Sequence, residues 1–230
     1  RARRTGSRMK RRPEPELMDS EAQTFAYAEA DFNEANSLFT DKFAENFSQL
    51  SANGRMADLG CGPGDIAIRM ANAYPGWSVT GLDAGENMLK RARERLELES
   101  DSSRVSFRLA YLPDDSLESQ AWDAVISNSL LHHLPDPQVL WASVVQLGAP
   151  GAAVQVMDLM RPETETDAQR LVDEYAADAP DILREDFYNS LLAAYTTLEV
   201  AAQLVNAGLD HLKIDTASDR HWIVSGRLPG

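Results

Sequence analysis

Apolar and polar residues alternate along much of this chain with two different periods, and the periods predict its elements. Short runs of strand-forming residues recur: 55–59, 77–82, 104–109, 122–127, 152–157, 211–216 and 221–227. Between them the period lengthens to that of a helix. Ile66, Ala67, Met70, Ala71 and Tyr74 share one face, and Pro75-Gly76 ends it. Leu89, Ala92 and Leu96 share another, as do Val139, Leu140, Ser143, Val144 and Leu147 before Gly148. Strands alternating with helices predict an α/β fold, a doubly wound and mostly parallel sheet of seven strands. The last two strands are joined only by residues 217–220, a turn that permits antiparallel pairing alone, so a C-terminal antiparallel hairpin closes the sheet.

Two segments exceed that alternation. Phe25, Ala28, Phe32, Ala35, Phe39, Phe43 and Phe47 recur every three or four residues, which predicts one apolar helical face, over one or two helices, within residues 24–50. Residues 161–196 follow the fifth strand and carry two more helical stripes separated by Ala179-Pro180; an insertion there falls on the ligand face of such a sheet. The final helix opens with Thr196-Thr197-Leu198-Glu199, a capping box with Thr196 as N-cap. Residues 21–230 therefore read as a single domain, and residues 1–20 as a disordered basic extension or cloning remnant.

Charge sharpens this division. Seven of the 22 Lys and Arg lie in residues 1–12, which leaves 15 basic against 36 acidic side chains, a balance of −21, in the rest. Such a body repels nucleic-acid backbones. No apolar run approaches 18 residues and no apolar stretch follows the basic start, so neither a membrane span nor a secretory signal is expected. The single cysteine, Cys61, excludes internal disulfides and fits a reducing cytoplasm. A monomer or homodimer is expected.

The candidate chemistry starts where the first strand ends. Gly60, Gly62 and Gly64 follow at spacing two and lead into a helix, so bare backbone N–H groups approach a ligand. The third glycine comes one residue early for a dinucleotide loop, which opposes a nicotinamide oxidoreductase. The stretch Asp58-Leu59-Gly60-Cys61-Gly62-Pro63-Gly64, with the acid two residues ahead, resembles the first motif of class I S-adenosylmethionine-dependent methyltransferases. Leu131-His132-His133-Leu134 resembles the "LHHL" segment after the fourth strand in small-molecule members. The terminal hairpin is that family's layout too.

The resemblance implies S-adenosyl-L-methionine as cofactor and S-adenosyl-L-homocysteine as product. It implies that residues 60–64, Cys61 included, pass along the methionyl part and ribose, and that Asp58 meets the ammonium. Asp83, ending the second strand, accepts from the ribose hydroxyls, with Ala84 and Met88 against adenine. The acid usual after the third strand is missing, so Ala110 and Tyr111 take the adenine edge through their backbone, or Asp114 folds back. Asn128 lies near the sulfonium. His132 and His133 are candidate catalytic residues; helical neighbours point about 100° apart, so both are not expected to serve one site equally. Helices 24–50 act as a lid, with Tyr27 facing substrate. Asp158, Arg161, Tyr188, Asn189 and Arg220 are candidate substrate contacts. With the histidines, Arg161 and Arg220 suggest a positive pocket and an anionic small-molecule acceptor. No metal-ligand spacing appears, and no metal is expected. Two alternatives stay open: a catalytically silent S-adenosylmethionine-binding protein, and a methyltransferase acting on a protein side chain.

Overall fold

The computed structural model describes residues 9–14 and 19–230. Seven strands form one sheet: β1 (Gly54–Leu59), β2 (Trp77–Asp83), β3 (Val105–Leu109), β4 (Trp122–Asn128), β5 (Gly148–Leu159), β6 (Lys213–Thr216) and β7 (His221–Arg227). Their order is β3-β2-β1-β4-β5-β7-β6. The first five pair in parallel, and β7 pairs antiparallel with both β5 and β6. The chain reverses its direction of winding between β1 and β4. Loops there diverge to opposite faces and open a crevice at the strands' C-terminal ends.

Helices cover both faces because each presents one apolar stripe. Here α2 (Asn33–Asn46) and α3 (Asp65–Ala73) bury Phe39, Phe43, Ile66 and Met70 against Met56, Val79 and Ile126. On the other face α5 (Gln138–Leu147) and α8 (Thr197–Asn206) pack Trp141, Val144, Val200 and Leu204 on Val125, Val154 and Trp222. Helix α4 (Glu86–Leu96) packs against β2 and β3; α1 (Glu21–Glu29) lies beside it, and α6 (Glu165–Tyr175) lies against α7 (Asp181–Ala193). Leu171, Val172, Leu191 and Leu192 form a third small core there. The capping box at Thr196 and Glu199 is present.

Three expectations need correction. The phenylalanine face does not run unbroken: Phe25 is 54% exposed, Phe32 lies between α1 and α2, and only Phe39, Phe43 and Phe47 are buried. Strand β5 begins at Gly148, which pairs with Trp122, four residues before the expected start. Residues 9–14, expected to be disordered, instead form an extended strap across α7. Met9 N donates to Glu163 O (3.1 Å) and Arg12 N to Leu192 O (2.9 Å). Arg11 Nε donates to Ala193 O (2.6 Å), and its guanidinium stacks on the Tyr195 ring at 4.2 Å. Residues 1–8 and 15–18 of that expectation lie outside the described residues. No helix among the described residues is long and apolar enough to cross a membrane.

Candidate functional site

The glycine turn after β1 forms one wall of a cavity of about 400 Å³. Gly60 and Gly62 adopt φ of 69° and 51°, where a side chain is strained, so the turn needs glycine. Gly60 N and Cys61 N donate to Leu82 O at 2.7 and 3.0 Å. Asp83 joins two loops: its Oδ2 accepts from Gly62 N and its Oδ1 from Gly85 N, both at 2.8 Å. Each oxygen keeps a lone pair beyond that bond. Asp58, Gly60, Cys61, Gly62, Asp83, Ala84, Met88, Ala110 and Asn128 all line the cavity, as does Leu112, which the sequence reading passed over. Gly64 and Tyr111 do not. Gly64 is the N-cap of α3, and Tyr111 is 63% exposed.

Two oxygens in this wall are unsatisfied. Asp58 is 1% exposed, and neither its Oδ2 nor Asn128 Oδ1 has a hydrogen-bond partner among the described residues. Burial, and then the charge of Asp83, push the Asp58 carboxyl well above the usual carboxylate range. Burial raises Asp83 too, against the lowering effect of its two N–H donors. The Cys61 thiol is pushed well up by burial and by Asp58 and Asp83, so it stays neutral. A buried pair of bare acceptors beside an open glycine turn calls for a ligand that brings donors and positive charge.

A second cavity of about 550 Å³ adjoins the first. Tyr27, Phe32, Asn36, Asn128, Ser129 and His133 line both. His132, Leu159, Tyr175, Leu183, Phe187, Ser190, Arg220 and His221 line only the second. The Tyr27 hydroxyl is pushed up to about 12 by burial and by Asp158, Asp83 and Asp65, so it remains a proton donor. Leu131–His133 forms a single 3-10 turn after β4. Contrary to expectation its histidines converge, with ring centroids 4.0 Å apart. Asp158 serves His132 and does not line either cavity: Oδ1 meets Nδ1 at 2.6 Å, and Oδ2 accepts from His132 N at 2.9 Å. Burial opposes charge on His132, but Asp158 outweighs it and raises the imidazole pKa. Burial likewise opposes the Asp158 charge, and His132 outweighs it.

The expected positive pocket does not form. Arg161 turns away, its guanidinium donating to Ala194 O (3.0 Å) and pairing with Glu199 (2.8 Å). Tyr188 donates to Glu165, and neither it nor Asn189 lines a cavity. Arg220 does line the second cavity, yet Asp219 and Glu34 pair with it and Tyr175 stacks on it at 3.4 Å. Burial, then Arg220, lower His221 to about 4, so it is neutral. Glu29, Asp31, Glu34, Glu174, Asp178 and Asp186 also line the second cavity. Local pattern could not show the pairings with Glu199, Glu165 and Glu34, because those partners lie far apart in the chain.

Two residues beside the cavity have no signal of their own in the sequence. Asp19 Oδ1 accepts from Asn87 N and Met88 N at 3.2 and 3.3 Å, capping α4 beside the first cavity. Glu14, at the end of the strap, lines that cavity and pairs with His133. The only signal was the acid-proline run 13–19, masked by the basic residues before it.

Comparison with known proteins agrees with this geometry. Residues 57–154 match the family described as Methyltransferase domain. Trans-aconitate 2-methyltransferase of Variovorax paradoxus is 34% identical over 131 residues, 57% of this chain and 48% of the relative. The 27-O-demethylrifamycin SV methyltransferase of Amycolatopsis mediterranei is 32% identical over 146 residues, 62% of this chain and 53% of the relative. The chain thus spans about half the length of the curated relatives it matches. A Haemonchus contortus phosphoethanolamine N-methyltransferase 2, solved with phosphomonomethylethanolamine and S-adenosylhomocysteine, superposes with a TM-score of 0.69 at 16% identity. That match covers 93% of this chain and 59% of the other. A methyltransferase from Aquifex aeolicus superposes at 0.65 and 16% identity, over 91% and 98%.

Proposed function

We propose that the protein moves a methyl group from S-adenosyl-L-methionine to a small-molecule acceptor: residues 57–154 match the Methyltransferase domain family, and the fold is shared with solved S-adenosylmethionine-dependent methyltransferases. The carrying observation is the pair of unpartnered acceptors, Asp58 Oδ2 and Asn128 Oδ1, in a glycine-walled cavity at the sheet's switch point. An ammonium supplies the donors and the charge they lack. Asp83 keeps free lone pairs for a ribose diol, and Ala84, Met88, Ala110 and Leu112 offer an apolar slot for a base.

S-adenosylmethionine, when bound, supplies a methyl already activated by its sulfonium. The chain's part is then positioning and exclusion of water. Asn128, Ser129 and His133 stand at the opening between the cavities, so an acceptor in the larger one lies against the contents of the smaller. Tyr27 and Phe32, whose rings pack at 4.6 Å, roof that opening from α1 and the turn after it. Enclosure on this scale suits a small molecule rather than a protein side chain. The carboxylate-rich lining gives no support to the anionic acceptor expected from sequence.

Thermal melting and calorimetry with S-adenosylmethionine, S-adenosylhomocysteine and NAD test the reading. A ligand that binds only the native state stabilises it by about 2.7 kcal/mol at a hundredfold excess over its dissociation constant. Stabilisation by both sulfur nucleosides is expected. Stabilisation by NAD alone, or by none of the three, overturns the proposal.

A further inference from the structure

Folding gathers one cluster that no local spacing announces. One donor atom each from Glu14, His132 and His133 lie within 4.8 Å of one another, and all three side chains are buried or half-buried. We propose that these residues bind a divalent transition-metal ion at the junction of the two cavities. The site stands apart from the methyl-transfer reading and does not depend on it.

Each residue is prepared for the role. His132 is 3% exposed, and Asp158 occupies its Nδ1, which leaves Nε2 as the ligating atom. That Nε2 has no partner among the described residues, although an unpaired buried nitrogen is costly. A carboxylate holding the far nitrogen of an imidazole is the usual support behind a metal-bound histidine. It fixes the tautomer and raises the basicity of the ligand. His133 lies alongside, its ring tilted 39° from that of His132. Its Nδ1 contacts the Glu14 carboxylate without the alignment of a hydrogen bond, so the nitrogen keeps its lone pair uncommitted. Glu14 is itself oriented, since its Oε1 accepts from Ser190 Oγ at 2.7 Å.

The strap explains the carboxylate's position. Arg11 donates to Ala193 O on one side and to His132 O (3.0 Å) on the other, tying the segment to the histidine turn. Such anchoring sets one acid beside two imidazoles. Two nitrogens and one oxygen form a three-ligand set of the kind that leaves coordination positions open, and imidazole suits zinc, cobalt, iron and nickel. Ligands about 2.1 Å from a tetrahedral ion lie roughly 3.4 Å from each other, so Glu14 and His133, now in direct contact, part by about 1 Å to admit the ion, while no pair in the set has to close by much more than that. The ion would bring positive charge to a chamber whose own cations are paired or neutral. If the methyl-transfer reading holds, an oxygen of the acceptor is the natural occupant of an open position.

The test uses the full chain, stripped with a chelator and titrated with Co²⁺, followed by visible ligand-field absorption and calorimetry. One Co²⁺ per chain is expected. Glu14→Gln keeps the side chain's volume and the bond from Ser190, so it folds, as its melting curve in chelator checks. It should weaken Co²⁺ by roughly tenfold or more, and Asp158→Asn by roughly 10- to 100-fold through the supporting contact. No stoichiometric binding, or binding that Glu14→Gln leaves unchanged, overturns the proposal.

Discussion

Gly62 separates the needs of the backbone from those of a ligand. Its φ is 51°, and a Cβ built there meets nothing within 4 Å. Gly208, two residues past the end of α8, has a φ of 69° and is equally open, but it faces solvent. Alanine in the left-handed region costs about 1–2 kcal/mol. Each substitution should therefore lower stability by about 1 kcal/mol, a fall of about 2–4 °C in Tm for a chain of this size. Only Gly62→Ala puts its methyl into the cavity. Crowding a filled site costs about 1–3 kcal/mol, or roughly 5- to 150-fold in Kd. Calorimetric titration of both variants with S-adenosylhomocysteine, beside their melting curves, reads the two effects separately. Gly208→Ala should bind like wild type and Gly62→Ala should not. If Gly62→Ala melts low yet keeps its affinity within twofold, the space above the turn is not the ligand's and the donor assignment fails. Asp83→Ala is a poorer probe, since it also releases Gly62 and Gly85 from their shared carboxylate.

His221 gives a stability signature in acid. Its folded pKa of about 4 lies below the unfolded value near 6.5, so the unfolded chain binds more protons between them. Stability should fall as pH drops through that window, by about 3 kcal/mol in total. Urea melts from pH 7 to 4 should show His221→Gln losing less than wild type by that amount; parallel curves refute it. Arg161→Ala removes a bond to Ala194 O and an ion pair with the half-exposed Glu199. It should lower stability by about 1–2 kcal/mol and leave affinity for S-adenosylhomocysteine unchanged. A loss of affinity would return the guanidinium to the cavities.

What could be read in advance was whatever local pattern carries. Alternation located all seven strands, and the short turn before His221 required the antiparallel β7. Thr196 and Glu199 announced their capping box because both halves lie within one turn. The glycine turn, Asp83 and Asn128 were legible since the end of each strand marks the crevice. What escaped depends on distant partners. Arg161 looked like a free cation until Glu199 took it, and Arg220 until Glu34 did. The histidine pair looked divergent because backbone spacing, wider still in a 3-10 turn, does not fix where the rings go; Asp158 holds the His132 ring, and the two rings meet at 4.0 Å. Glu14 and Asp19 sat in a run whose composition suggested no structure, and their partners come from the middle of the chain.

The strap has a consequence in time. Arg11 and its acceptor on Ala193 are 182 residues apart in sequence. A ribosome adding about 5–20 residues per second needs roughly 10–40 s to make the second after the first. Glu14 must therefore wait for Ser190 while five strands and α7 are synthesised behind it. The junction between the cavities is completed only when residues 9–14 return to lie across α7, a helix made long after them.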